Sequence, residues 1–134
     1  MTDTMIVIGE MGGPEAAERA GVSYRQLDYW ARTGLIEPAV PAQGSGSRRL
    51  YSARDVRRLQ AVSALLDAGF DLRRIRAVMD AVLDEITDDA VGLIVVGSLS
   101  RVAHSREEMI DALEAGDCVL PLVAEQMYDD GPWP

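Results

Sequence analysis

Five residues at helical spacing carry the most definite chemistry in the sequence: Tyr24, Arg25, Asp28, Tyr29 and Arg32. Steps of one and four residues set side chains beside one another on a helix, so this group would form one polar strip of two cations, two phenols and a carboxylate. Guanidinium groups reach phosphate oxygens and fork onto guanine edges, phenols contact phosphates, and a carboxylate accepts from cytosine N4 or orients a neighbouring arginine. Leu27, Trp30 and Ala31 fall on the other side, with Leu35 following, and would anchor the helix to a core. A solvated helix face is the competing reading for Arg25 and Arg32, and Trp30 is read as core rather than contact. Further along, Arg48 and Arg49 adjoin the turn-forming run Gly44-Ser45-Gly46-Ser47, where a flexible hairpin would set them against backbone phosphates. Tyr51 could touch phosphate or close that hairpin on the next helix, and both roles stay open. Arg54, Arg57 and Arg58 are read as ordinary surface charge.

Other chemistries find little support. No G-x-G-x-x-G cradle for phosphate is present, and no nucleophile has a base near it in sequence, so the chain is not read as an enzyme. Cys118 and His104 are the only soft ligands and fall on different predicted elements, which is too few for a closed tetrahedral site. The acids of the C-terminal part are dispersed, without the spacing of a calcium loop. Neither a metal nor another cofactor is expected.

The polar strip needs a scaffold, and the punctuation of the sequence supplies one. Pro14 opens a first helix that Gly21 stops after Ala20. Ser23 with Gln26 forms a capping box for a second helix, Tyr24 to Thr33, ended by Gly34. Two short helices separated only by Gly21 and Val22 make a helix-turn-helix whose second member is the recognition helix. From Leu35 to Tyr51, prolines, glycines and serines predict a β-hairpin wing. Ser52 caps a third helix running to about Ala68. Asp71 caps a fourth, with Leu72, Ile75, Val78, Met79, Val82 and Ile86 as its apolar stripe. Beyond it, Leu93 to Val96 and Leu99 to Ala103 flank Gly97-Ser98 as a hairpin, Ser105 with Glu108 opens a helix over 106–115, and Cys118 to Ala124 reads as a strand. The expected fold is therefore mainly α with a β-hairpin wing, a winged helix-turn-helix over residues 1–80, followed by a small acidic α+β element over 81–134 serving dimerisation or regulation.

Charge at first argues against a nucleic-acid partner, because the 134 residues carry a net −9. Its distribution reverses that reading: residues 1–78 sum to +2 and residues 79–134 to −11. All thirteen basic residues are Arg, which a GC-rich coding bias explains as well as function does. No apolar run approaches the roughly 20 residues that span a bilayer, the N-terminus lacks the basic region of a secretory signal, and the single Cys118 excludes an internal disulfide. A cytoplasmic protein without membrane contact is expected.

The segments GVSYRQLDYWARTGLIEP and GSGSRRLYSARDVRRLQAVSALLDAGFDLRRIRAV resemble the MerR family of transcription regulators over residues 13–79. The ordered set carries the resemblance: helix-turn-helix, Tyr29-Trp30, Gly34-Leu35, a wing ending in Arg49-x-Tyr51, and Gly69-Phe70-x-Leu72-x-x-Ile75. It implies a homodimer on a two-fold symmetric site in double-stranded DNA, with recognition helices in successive major grooves and wings on the flanking backbone. It also implies promoter distortion rather than simple blocking, with RNA polymerase as a further partner. The strand-containing C-terminal part is similar to that of an actinobacterial branch. Where the family usually has arginine before the aromatic pair this chain has Asp28, and Tyr24-Arg25 stands where Pro-Glu is common, so the DNA sequence read by other members does not carry over. Two other readings remain: a protein-interaction module whose winged fold no longer binds DNA, and an architectural or excisionase-like DNA binder.

Overall fold

The computed structural model describes residues 10–40 and 49–122. In chain order the elements are β1 (Glu10–Met11), α1 (Gly13–Ala20), α2 (Tyr24–Arg32), β2 (Tyr51–Ser52), α3 (Ala53–Asp67), α4 (Leu72–Val82) with a 3-10 turn at Leu83–Glu85, β3 (Gly92–Val96), β4 (Leu99–Ala103), α5 (Arg106–Glu114) and β5 (Cys118–Pro121). This is a helix-turn-helix with a wing base, followed by a small α+β part.

Local chemistry explains the boundaries. Pro14 occupies the first turn of α1, where its missing N–H costs nothing. Gly21 then turns left-handed at φ 77°, and the Gly21 and Val22 amides donate back to the Glu18 and Ala17 carbonyls, closing the helix end. In α2 the Ser23 hydroxyl accepts from the Gln26 amide while the Gln26 side chain accepts from the Ser23 amide, both at 3.0 Å. Gly34, at φ 80°, ends α2 in the same manner, with the Leu35 amide donating to the Trp30 carbonyl at 3.0 Å. That turn drives Leu35 and Ile36 directly into the core.

The wing is closed by a two-way backbone bridge, Val40 with Leu50, at 2.9 and 3.0 Å. Its Gly-Ser tip lies outside the described residues. The strand that follows, β2, is not paired with another described part of the wing. It pairs antiparallel with β1, Glu10 opposite Ser52 and Met11 opposite Tyr51. Two residues offer no alternation to read, so nothing in the sequence marked β1 as a strand.

One hydrophobic cluster runs from Met11 and α1 through Leu27, Trp30 and the inner faces of α3 and α4 to Leu93, Val95, Val102 and Leu122. The sheet order is β4-β3-β5, all antiparallel. Alternate residues of a strand face opposite sides. Leu93 and Val95 therefore join the helical core, whereas Ile94, with Ala103, packs on Ala112 of α5. The buried stripe of α4 is Ile75, Val78, Met79 and Val82; Leu72, expected in it, is 42% exposed at the first turn. Ile86 is buried as expected but lies past the helix, because the chain tightens into the 3-10 turn first. The capping box of α5 is displaced: Ser105 Oγ accepts from the Glu108 amide, but the Glu108 carboxylate accepts from the His104 amide at 2.7 Å. The strand expected from Cys118 to Ala124 ends at Pro121, and residues 123 and 124 lie outside the described part. Among the described residues no helix is long and apolar enough to cross a membrane.

Candidate nucleic-acid interface

The two-sidedness of α2 that spacing predicts is present. Leu27 and Trp30 are 0% and 3% exposed, whereas Tyr24 and Tyr29 are 54% and 46% exposed. Arg25 and Arg32 are exposed and Asp28 is half-buried. Arg25 has no ion-pair or hydrogen-bond partner among the described residues. The ring of Tyr24 lies over the start of α1: a Cβ on Gly13 would sit 2.5 Å from its Cε1. Glycine at that position is what lets the phenol lie there.

Asp28 is the centre of the site. One carboxylate oxygen accepts from Nε of Arg32 one turn on, at 2.9 Å, and the other from Nη1 of Arg49 at the wing base, at 2.8 Å. The arginine bonds, Arg32 first, hold the Asp28 carboxyl below its usual range, and the same bond raises the already high pKa of Arg49. The sequence admitted an orienting role for Asp28. It gave no reason to expect a second arginine 21 residues away on the same carboxylate.

Tyr51 is 1% exposed. That burial fits a role in closing the wing base on the core, one of the two roles left open. Burial pushes its phenol up, opposed by the positive charge of Arg49. Arg48 lies outside the described residues.

The reading of Arg57 and Arg58 as ordinary surface charge is corrected, whereas Arg54 is exposed as expected and is also hydrogen-bonded. Arg54 donates to the Ile86 and Asp84 carbonyls at 3.2 and 3.3 Å, and Arg58 to the Leu83 carbonyl at 3.0 Å. These carbonyls lie just past the end of α4, where a helix dipole presents negative partial charge. Burial lowers the pKa of Arg58. Arg57 is 6% exposed and donates to Gln60 within α3. Helix periodicity could have warned of this, since Arg57 stands four residues before buried Ala61 and Arg58 four before buried Val62.

Asp55 is a further residue whose role the sequence reading missed. It is 2% exposed, and one oxygen accepts from the amides of both Ser52 and Ala39 at 2.9 Å. With Ser52 it completes a capping box whose S-x-x-D spacing was legible. Its reach to the strand entering the wing was not.

The family model for MerR helix-turn-helix regulatory proteins matches residues 13–82, somewhat more than half the chain. The chain belongs to the MerR family. This MerR-family chain is 42% identical over 110 residues to an uncharacterized HTH-type transcriptional regulator of Mycobacterium tuberculosis, covering 80% of this chain and 49% of that protein. It thus spans about half the length of that relative, and its mycobacterial likeness agrees with an actinobacterial branch. It is also 32% identical over 110 residues to heavy metal-dependent transcription regulator 2 of Rhizobium meliloti, covering 78% of this chain and 74% of that one. A MerR-family transcriptional regulator from Bacillus cereus of known structure aligns with a TM-score of 0.46 at 27% identity, over 52% of this chain and 51% of that one.

Proposed function

We propose that this regulator binds double-stranded DNA as a homodimer on a two-fold symmetric promoter site, with α2 in the major groove and the wing against the flanking backbone. The observation that supports this reading is the division of α2 into a buried apolar side and an outward side bearing Tyr24, Arg25, Tyr29 and Arg32. Arg25, free to fork, reads a base edge. Arg32, Arg48 and Arg49 meet phosphates, and the two tyrosines donate to the backbone. RNA polymerase is the partner that a distorted promoter would serve, and the setting is the cytoplasm. The role is one of binding, with no catalytic step.

The relative from Rhizobium meliloti is named as heavy metal-dependent. Metal dependence is said of that protein alone; for this chain the reading is binding without a metal, since one Cys and one His are too few for a closed site.

The test is fluorescence anisotropy of the full chain on a fragment of its own promoter across a salt series. A sequence-preferring affinity that falls log-linearly with salt supports the reading. Absence of any duplex binding overturns it in favour of a protein-interaction module, the alternative favoured by the net charge of −9 and by an acid among the site's cations. Binding without any effect on transcription from the fragment favours an architectural role.

A further inference from the structure

An acid on a surface meant for phosphate is unfavourable unless its charge is met. Asp28 is met twice, by Arg32 from its own helix and by Arg49 from the base of the wing. The second contact joins elements that no described hairpin strand connects: β2 pairs with β1, and the wing touches itself at the Val40–Leu50 bridge. Arg32 and Arg49 side chains are 59% and 26% exposed, so solvent and a polyanion can reach both.

We propose that Asp28 is a positioning residue that stands in for phosphate: it holds Arg49 in register with the recognition helix and, by competing for Arg32 and Arg49, weakens binding to DNA that offers only a backbone. This rests on the DNA-binding reading above and deepens it. The trio carries a net charge of about +1 with the acid and about +2 without it. Binding driven by phosphates alone strengthens with each cation released to it. A cognate site gains the same electrostatic attraction when the acid is lost, but it also loses the fixed spacing between wing and helix, so discrimination falls.

The experiment compares the full-length protein with Asp28→Asn, Asp28→Glu and Glu114→Gln on cognate and scrambled duplexes between 50 and 200 mM salt. Glu114 is exposed on α5 and far along the chain from the site, so its variant removes one negative charge without touching the trio. Asp28→Asn should steepen the salt slope by about 1, an additional fall of about 3–4-fold over that salt range, and should lower the ratio of cognate to scrambled affinity. Asp28→Glu should keep the wild-type slope, and Glu114→Gln should as well. A slope for Asp28→Asn equal to that of the wild type, or matched by Glu114→Gln, overturns the proposal while leaving DNA binding intact. Failure of the wild-type protein to bind any duplex overturns both readings together.

Discussion

Three side chains of one small surface separate three kinds of work. Arg25 has no partner among the described residues, Arg49 is shared with Asp28, and Tyr51 is buried. Arg25→Ala is expected to cost roughly 1 to 3 kcal/mol on the cognate site and to relax base preference there. Arg49→Ala should weaken scrambled DNA and flatten the salt slope by about 1, and it should weaken cognate DNA more, because it also cuts the link from Asp28 to the wing base. Both variants should unfold at nearly the wild-type urea midpoint, since a partly exposed ion pair contributes at most about 1 kcal/mol. Equal losses with unchanged base preference would move Arg25 to the phosphates. Gly13→Ala tests the seat of Tyr24. The added methyl forces the phenol aside while favouring helix, so stability should hold within about 1 kcal/mol as DNA affinity falls. Unchanged affinity would take Tyr24 out of the interface.

At the scale of elements, the joint between the wing entry and α3 depends on one carboxylate. Asp55 meets the Ser52 and Ala39 amides inside a site with almost no water access. A charged acceptor contributes about 1.5 to 3 kcal/mol per bond, and removing it leaves both donors unsatisfied. Asp55→Ala should therefore lower unfolding free energy by about 2 to 4 kcal/mol, against about 1 kcal/mol for Ser52→Ala, which removes only the cap. Urea denaturation of the two variants checks the order; a larger loss for Ser52→Ala would contradict it. The same contacts imply that Asp55→Ala loosens the wing and reduces DNA binding in protein that is still folded.

Across the whole molecule, the acidic C-terminal part is joined to the helices by a shared core. Ala90, Leu93, Val95, Val102 and Leu122 belong to the same cluster as Met79 and Val82, and Arg74 of α4 donates to the Gly97 carbonyl at the β3–β4 turn at 2.7 Å. Deleting residues 90–134 would uncover the apolar face of α4. The shortened chain is expected to lose a cooperative thermal transition or to aggregate, beyond any loss of dimerisation; a sharp transition at the wild-type temperature would contradict this. Elemental analysis of the purified protein, with DNA binding repeated in chelator, checks metal independence. Stoichiometric zinc lost together with affinity would reveal ligands shared between protomers.

Helix limits, the capping box at Ser23 and the division of α2 into wet and dry sides were all legible in the sequence, because each depends on residues within about four positions of one another. So was the charge asymmetry between the two parts of the chain. What brings Asp28 to Arg49, Asp55 to Ala39 and Arg58 to Leu83 is long-range packing, which no local period encodes. The pairing of β1 with β2 likewise joins residues about 40 apart through strands too short to show alternation. Arginine was the least legible residue type. Its long stem and forked head serve a phosphate, a helix end or a buried partner equally well, so the sequence determined only that Arg25 and Arg32 lie on the recognition helix, and the tertiary structure decided that Arg49 joins them at Asp28 while Arg57 and Arg58 turn inward.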